Sequence, residues 1–323
     1  MEKKSIWKFI LEQLTEENPV ALVVVVEHEK GSPGKSGFKL AVTADKKIAG
    51  TMGGGIMEYQ MIEQYSKRLK NNETIRDIRY LVHSPNAKHG EPSGLSCAGS
   101  QTNCIISLNK NDRLIIEKIY FAEKENIQAR FILTENGISY SEGKKSEHKI
   151  FHSSSPAEWK YEENIGPEYT LFIIGGGHVG NALSRVMSTL DFYVVLYDDR
   201  SDLVMMKDNN FADKKIIAPF EKLGEYLSNP QKTFAAIVTS NFVSDAAALQ
   251  QVLPHKLPYV GLMGVEAKIV RIKNSLNEEE QKLLSQQKIF APIGMEIGSA
   301  TAEEIAVSIA AQLIQVKNSL SKK

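Results

Sequence analysis

The feature that most constrains the fold of this chain is a glycine-rich turn between two apolar runs. The first run ends at Ile174, the sequence GGGHVG occupies residues 175–180, and a second apolar run ends at Asp198. Glycine permits the backbone conformations of a tight strand-to-helix turn, and a strand, a turn, a helix and a second strand open a dinucleotide-binding unit. The turn therefore predicts a Rossmann-like sheet in the second half of the chain.

The residues after this unit continue the alternation of strands and helices. Apolar runs at 234–239 and 258–262 are typical of buried strands, and a helical segment lies between them. A last helix opens at Thr301, with Glu304 three residues later as in a capping box. Strands that alternate with helices favour a parallel, doubly wound sheet, so we expect an α/β domain with this architecture over residues 168–323.

The N-terminal half is predicted to form a separate α+β domain over residues 1–165. Val20–Val26 is a continuous, largely β-branched run that is typical of a buried strand. Two shorter strands follow, and then a helix over 56–69 whose apolar residues fall on one face. Residues 141–167 are rich in serine and charge and contain a Gly-Pro pair. We therefore predict that this segment is the linker region between the domains, although Phe151 and Trp159 indicate that part of it packs.

Composition narrows the class of protein. The 323 residues include 39 Lys+Arg and 39 Asp+Glu, so the formal net charge is zero and gives no global attraction to nucleic acid or to an anionic membrane. The apolar runs are too short to span a bilayer, and the N-terminal residues lack the apolar segment of a secretion signal. Two cysteines do not make a disulfide framework. We expect a cytoplasmic protein with neither nucleic acid nor membrane as a partner.

The first candidate ligand site is the GGGHVG turn itself. Gly175 permits the tight turn, Gly177 lets the backbone approach a phosphate, and Gly180 allows the helix to pack closely on the strand. His178 begins the helix, where it either faces a ligand or only caps the helix. Because Asp198 ends the second strand, its carboxylate is placed to accept a hydrogen bond from a ribose hydroxyl. These residues predict a nucleotide-type, phosphate-accepting crevice.

A second candidate site is the glycine triplet Gly53, Gly54 and Gly55, which precedes the helix over 56–69. Three glycines leave the backbone bare and able to curl around an anion. Glu58 lies in the first helical turn, where it either complements the helix dipole or forms hydrogen bonds with a polar ligand. We include all four residues among the candidate cofactor-binding residues.

Two further segments complete the candidate site. Cys97 lies in a polar loop beside small residues, where nearby N–H groups can lower the pKa of a thiol and make it a nucleophile or a soft metal ligand. Cys104 lies within an apolar run and is expected in the core. Gly294 and Gly298 precede the capped helix, and glycines at the strand ends of an open α/β sheet border the ligand crevice. The histidines and carboxylates show no zinc spacing.

Taken together, these motifs resemble the XdhC/CoxI family, the xanthine dehydrogenase accessory proteins. The resemblance rests on the glycine triplet, the Ser-Cys-Ala-Gly loop and the GGGHVG turn, and on three further segments. These are Asp198–Arg200, Tyr259–Gly264 with Lys268, and Pro292–Ala306. The motifs cover both halves of the chain, with the least support across about 110–165.

The resemblance implies that the protein is a non-catalytic chaperone of the molybdenum cofactor. Members of the family bind this cofactor, support the exchange of an oxo ligand for sulfur, and deliver the cofactor to a molybdenum hydroxylase such as xanthine dehydrogenase. The resemblance also implies a cysteine desulfurase as a partner and a homodimer as the assembly. Cys97 is then the candidate contact to molybdenum.

The sequence departs from the family pattern at four places, one of which is a loop over Gly31–Gly37 that is shorter than the family pattern leads us to expect. Ile56 follows the glycine triplet directly, where many members have a cysteine, so a thiol contact falls to Cys97 or to no residue. Thr239-Ser240 stands where members usually have Thr-His, and Gly264-Val265-Glu266 stands where they have Gly-Ser-Arg. The last difference replaces a base with an acid.

Two other classes of function stay open at this point. An NAD(P)-dependent oxidoreductase would use the glycine turn and Asp198, but no tyrosine and lysine at helical spacing supply an acid–base pair beside the sheet. A structural adaptor would keep the fold while its nucleotide crevice is vestigial.

Overall fold

A computed structural model describes residues 5–84, 89–96, 98–143, 148–155 and 157–320. The chain divides into two compact units, one that ends at Gly166 and one that begins at Pro167. Each unit has its own sheets and its own hydrophobic core, so each is described separately.

The N-terminal unit combines helices with two sheets. In chain order its elements are α1 (Ile6–Thr15), β1 (Val20–His28), β2 (Lys39–Thr43), β3 (Ile48–Gly50), α2 (Gly55–Lys70), β4 (Arg76–Val82), β5 (Glu91–Pro92), β6 (Ser100–Leu108), α3 (Arg113–Lys124), β7 (Ala129–Thr134), β8 (Gly137–Glu142), β9 (Lys149–Ser155) and β10 (Glu158–Asn164). One sheet has the order β3-β2-β1-β6-β4-β5, in which only β4 and β5 pair in parallel. The other is antiparallel in the order β8-β7-β10-β9.

The central strand β1 is buried on both faces, which explains its continuous apolar sequence. Alternate residues from Val20 to Val26 pack into a core shared with α1, α3 and the four-stranded sheet. The residues between them, from Ala21 to Val25, pack against α2 on the opposite face. Successive side chains of a strand point to opposite faces, so only a strand between two layers needs apolar residues at every position.

The prediction of a linker region over 141–167 is wrong for most of this segment, because most of its described residues form strands. Strands β9 and β10 complete the four-stranded sheet, and Trp159 and Tyr161 are buried in its core. Two of the charges that suggested a linker are buried and paired. Glu162 pairs with Arg130 at 2.7 Å, and the carboxylate of Glu163 pairs with a lysine ammonium at 2.5 Å. Charge-rich composition alone does not distinguish a linker from a strand whose charges have fixed partners.

The C-terminal unit alternates strands and helices, as predicted. Its elements are β11 (Thr170–Ile174), α4 (His178–Met187), β12 (Tyr193–Asp198), α5 (Val204–Asp208), β13 (Lys214–Ile217), β14 (Thr233–Ile237), α6 (Phe242–Val252), β15 (Tyr259–Leu262), α7 (Glu266–Ser275), α8 (Glu278–Ser285), β16 (Ile289–Phe290) and α9 (Ala302–Leu320). The strands form one parallel sheet in the order β13-β12-β11-β14-β15-β16.

Helices cover both faces of this sheet, which confirms the doubly wound architecture. Helices α4 and α9 pack on one face, where Leu183 and Leu313 are buried in the same core. Helices α6 and α7 pack on the other face through Leu249 and Ile272. The strand order runs outward in opposite directions from the neighbours β11 and β14, so a crevice opens at the carboxyl ends of these two strands.

The N-terminus of α9 has the predicted capping box. The backbone N–H of Glu304 donates to the hydroxyl of Thr301 at 3.2 Å, and the N–H of Thr301 donates to the Glu304 carboxylate at 3.0 Å. These bonds satisfy N–H groups that have no partner inside the helix. The cap therefore fixes where the last helix begins on the sheet.

Candidate ligand-binding site

The glycine turn between β11 and α4 is built by close backbone packing. Gly175 has φ of +116°, and a Cβ atom there would lie 2.8 Å from the carbonyl oxygen of Val238. A Cβ atom on Gly180 would overlap the carbonyl oxygen of Gly175. Gly177 differs from both, because it caps α4 with φ of −73° and a Cβ atom there would meet nothing within 4 Å. Gly175 and Gly180 are thus required by packing, and Gly177 faces open space.

A cleft of about 670 Å³ opens beside this turn, at the carboxyl edge of the parallel sheet. It is lined by Gly177, His178, Val179, Arg200, Asp202, Leu203, Val204, Met205, Val238, Thr239, Ser240 and Met263. His178 is exposed as the first residue of α4. The cleft lies where the fold predicts a ligand, and its wall includes the N-terminus of a helix, which favours an anion.

Asp198 ends β12 as predicted, but its carboxylate is already engaged. The side chain is fully buried and accepts hydrogen bonds from the N–H of Gly176 at 2.7 Å and from the guanidinium Nε and Nη2 of Arg200, each at 2.8 Å. Burial raises the pKa of Asp198, but the hydrogen bonds from Arg200 and Gly176 outweigh it and hold the pKa below its usual value. The ribose-binding role stays a prediction, and it requires Arg200 to move.

One constellation in this unit was missed by the sequence reasoning. Thr239 after β14, Asp245 in α6 and Lys268 in α7 converge, with the Thr239 hydroxyl donating to Asp245 at 2.5 Å and the Lys268 ammonium paired with the same carboxylate. Their spacing of 6 and 23 residues matches no short motif, so only the tertiary structure shows that they meet. In the sequence, Lys268 and Thr239 stand out only as members of two separate segments that are compared with the family pattern.

The glycine triplet lies at the N-terminus of α2, as predicted. Gly53, Gly54 and Gly55 have φ of +128°, +79° and +69°, values that non-glycine residues rarely adopt. A Cβ atom on Gly54, the N-cap of α2, would meet nothing within 4 Å. The Glu58 carboxylate accepts hydrogen bonds from Met52 N–H at 2.8 Å, Gly54 N–H at 3.1 Å and a threonine hydroxyl. Glu58 therefore holds this loop in place with its own negative charge.

A buried polar network is hydrogen-bonded to the same loop at Met52. The ring Nε2 of His83 lies 2.9 Å from the Ser32 hydroxyl, and its Nδ1 lies 2.8 Å from the Ser93 hydroxyl. Ser32 donates to the side-chain oxygen of Gln101 at 3.0 Å, and the Gln101 amide donates to the carbonyl of Met52 at 3.2 Å. If His83 carries its proton on Nε2, every hydrogen bond of this network has both a donor and an acceptor. Residues of three loops are thereby joined next to the glycine triplet.

The two cysteines differ in what the structure says of them. Cys97, the candidate molybdenum contact, lies outside the described residues. Cys104 is buried in β6, and burial raises the pKa of its thiol, so it is the core residue that its apolar surroundings predict. Ile56, at the position where family members often have a cysteine, is 45% exposed.

Gly294 and Gly298 have different surroundings. The backbone of Gly294 exchanges two hydrogen bonds with the side chain of Gln312 in α9, at 3.0 and 2.8 Å, and its φ is +98°. Gly298, with φ of +71°, faces open space. Neither is among the described residues that line the cleft, so their cofactor-binding role stays a prediction.

Metal clusters and membrane-spanning helices are both absent from the described part of the chain. No group of three or more His, Cys, Asp or Glu side chains there is arranged to hold a metal ion. Among the helices of the same residues, none is long and apolar enough to cross a membrane.

The fold and these sites define a class of α/β protein with a Rossmann-like C-terminal unit and a glycine-capped helix in each half. Comparison with protein families assigns this class more closely. The model of the XdhC Rossmann domain matches residues 171–313, and the model of the XdhC and CoxI family matches residues 13–80. The chain belongs to the XdhC/CoxI family and is related to the xanthine dehydrogenase accessory proteins.

Individual relatives are distant. The uncharacterized protein YqeB of Escherichia coli (strain K12) is 24% identical over 310 residues, which are 95% of this chain and 45% of YqeB. A probable xanthine dehydrogenase subunit of Bacillus subtilis (strain 168) is 26% identical over 156 residues, which are 48% of this chain and 45% of that protein. These aligned regions amount to less than half the length of each curated relative.

A solved structure shares the fold. A crystal structure described as a xanthine dehydrogenase from Bacillus halodurans aligns with a TM-score of 0.73 and 22% sequence identity. The alignment covers 98% of this chain and 96% of the other. At this level of identity, the likeness concerns the fold alone.

Proposed function

We propose that this protein binds the molybdenum cofactor, supports its sulfuration and transfers it to a molybdenum hydroxylase such as xanthine dehydrogenase. The observation that carries the proposal is a pair of helices capped by bare glycines within a chain of this family. Gly54 caps the 16-residue helix α2 and Gly177 caps the 10-residue helix α4, and each has open space where a side chain would be. An anionic ligand can approach the backbone N–H groups directly at α4, whereas at α2 it must take the place of the Glu58 carboxylate, which already accepts from the Gly54 N–H.

The residues present fit the phosphate-bearing part of the cofactor. The first N–H groups of a helix lack partners inside the helix and carry a partial positive charge, which suits a phosphate. At α2 the loop already holds one carboxylate, that of Glu58, which indicates that its N–H groups are arranged for an anion. At α4 the cleft of about 670 Å³ leaves room for a ligand of cofactor size.

For the metal end of the cofactor, Cys97 is the residue that we propose as a contact. A thiolate is a soft ligand, and Ile56 removes the other position at which the family supplies a thiol. When bound, the cofactor supplies the molybdenum centre at which an oxo ligand is exchanged for sulfur. The role of this chain is to hold the cofactor and exclude water from it, so we assign no catalytic residue.

The proposal includes three partners. The client is a molybdenum hydroxylase, the sulfur donor is a cysteine desulfurase, and the third partner is a second copy of this chain in a homodimer. Family membership supports each of them, and size-exclusion chromatography with light scattering tests the dimer directly.

The test of the proposal is the small molecule that the protein carries. We expect molybdenum and pterin to co-purify with the full chain from a host that makes the cofactor, in a ratio near one cofactor per chain. The measurement is metal analysis by mass spectrometry together with fluorescence of the oxidised pterin. Absence of both, with no uptake of cofactor in vitro, would refute the proposal.

A pair of glycine variants tests whether the α2 loop binds the cofactor. Gly54→Asp introduces a charge and a side chain where a phosphate would approach, so it should lower the cofactor content at least several-fold. Gly143→Asp is the matched control, because Gly143 has nearly the same φ, +80°, and equally open space. Equal cofactor content in the two variants would remove the α2 loop from the site. Cys97→Ser, compared with Cys104→Ser, tests the thiol contact in the same assay.

The alternative function is that of an NAD(P)-dependent oxidoreductase. One observation favours it: the cleft lies at the carboxyl ends of β11 and β14, where the strand order of the parallel sheet reverses. The hydrogen bonds from Arg200 to Asp198 argue against this function, because the carboxylate that is expected to accept from the ribose hydroxyls already accepts from the guanidinium group. Fluorescence titration with NADH and NADPH tests this function. Micromolar binding together with substrate-dependent turnover would favour the oxidoreductase over the chaperone.

A further inference from the structure

An ion pair lies beside the cleft, and packing alone does not account for it. Asp245 is fully buried, and its carboxylate is held by the Thr239 hydroxyl and the Lys268 ammonium. Desolvating two charges is costly, and a well-packed apolar group in the same place is often equally stable. The pair is therefore expected to add little to the free energy of unfolding, and its position next to the cleft points to a role in ligand binding.

The ion pair is next to residues that line the cleft. Thr239 and Met263 both contribute to the cleft wall, and the Lys268 ammonium lies 3.4 Å from the carbonyl oxygen of Met263. The Lys268 side chain is 24% exposed, whereas Asp245 is inaccessible to solvent. Lys268 is not itself among the residues that line the cleft, but Asp245 connects it to Thr239 and its ammonium lies near the Met263 carbonyl, and both Thr239 and Met263 do line the cleft.

The backbone at Gly264 leaves space for the side chain of Lys268. A Cβ atom on Gly264 would lie 2.8 Å from the Cδ atom of Lys268, and Gly264 has φ of +151°. A larger residue at 264 would displace the lysine stem and would be strained as well. The loop after β15 therefore leaves a path for the Lys268 side chain to reach the buried carboxylate of Asp245.

We propose that Lys268, anchored by Asp245 and Thr239, is an anion-binding residue of the cleft and contacts a phosphate group of its ligand. An ammonium group has three donors, so a lysine that pairs with one carboxylate can donate to a second anion. The same cleft includes the N-terminus of α4 at Gly177, a second positive element. Together they favour a pyrophosphate or phosphate ester. This assignment deepens the proposed function, since it rests on the cleft holding the phosphate end of the ligand.

The test is calorimetric titration of the full chain with pyrophosphate alone at low ionic strength. We expect wild-type protein to bind, and Lys268→Met to bind about tenfold more weakly, as for the loss of one hydrogen bond to a charged group. Lys273→Met is the control, because Lys273 is an exposed lysine on the same helix, and its affinity should equal that of wild type. No binding by wild type, or equal binding by Lys268→Met, would overturn the assignment.

A second variant separates ligand contact from a purely structural role. Asp245→Asn keeps the lysine charge and an oxygen that can still accept from Lys268, and it removes a negative charge near the anion, so pyrophosphate should bind as tightly as to wild type or more tightly. If the pair only supports the fold, Asp245→Asn and Lys268→Met should weaken binding alike. Should Lys268→Met fail to fold, the double variant with Asp245→Asn removes both buried charges together and is expected to show the same tenfold loss. Because pyrophosphate is the only ligand, the result does not depend on whether molybdenum co-purifies.

Discussion

The carboxylate of Asp198 is bound by Arg200, which follows it by two residues and donates to it from its backbone N–H at 3.0 Å as well as from its guanidinium group. A fourth donor, the N–H of Gly176, ties the same carboxylate to the glycine turn. The acid at the end of the second strand thus organises the turn from inside the protein. A ligand that enters the cleft first meets Arg200, since Arg200 lines the cleft and Asp198 is buried behind it.

This arrangement predicts a loss of stability in acid. The folded-state pKa of Asp198 is lower than its usual value, so the carboxylate stabilises the fold above the unfolded-state pKa of about 4 and this contribution is lost as pH falls below it. Asp198→Asn should lower the free energy of unfolding at pH 7 by about 2 kcal/mol and flatten its dependence on pH below about 4.5. Urea denaturation at several pH values measures this. The exposed Asp208→Asn is the control, and a steep acid limb retained in Asp198→Asn would contradict the prediction.

The glycine turn should tolerate a methyl group at one position and not at another. Gly180→Ala places a Cβ atom against the carbonyl oxygen of Gly175, so α4 must move away from β11, and we expect a loss of about 3 kcal/mol in the free energy of unfolding. Gly177→Ala has an allowed φ and open space, so its loss should stay within about 1 kcal/mol, the size of a helix-cap effect. Equilibrium urea unfolding compares the two. Equal losses would show that the close helix–strand contact is not what requires Gly180.

Glu58 should be replaceable by an external anion. The Glu58 carboxylate accepts hydrogen bonds from two backbone N–H groups of the glycine loop, and Glu58→Ala leaves these donors without their acceptor. We expect a loss of about 2 kcal/mol in the free energy of unfolding. Because sulfate can occupy a concave set of N–H groups, added sulfate should raise the melting temperature of Glu58→Ala more than that of wild type. Comparison with wild type removes the general stabilising effect of sulfate. An equal rise in both proteins would argue against an anion site in the loop.

The sequence was most informative where a local pattern and the tertiary fold require the same residues. Four of the six strands of the parallel sheet (β11, β12, β14 and β15), the glycine turn and the Thr301 cap could be predicted because each follows from a short-range signal of periodicity, backbone freedom or capping. Strands β9 and β10 could not, since the partners of Glu162 and Glu163 are distant in sequence. The pairing of Asp245 with Lys268 was missed for the same reason.

His83 gives the protein a second pH dependence, nearer neutrality. Burial lowers the pKa of His83, and its interaction with Gln101 offsets only part of that effect, so the folded protein favours the neutral ring. The unfolded chain takes up a proton near pH 6.5, and stability is therefore present above that pH and lost below it, by at most about 1.4 kcal/mol per pH unit. Since the network joins His83 to the carbonyl of Met52, protonation should also loosen the glycine loop. Urea unfolding of wild type and His83→Gln between about pH 7.5 and 5.5 measures the effect, with the exposed His152→Gln as control. If the slope in His83→Gln equals that of wild type, another group causes the pH dependence.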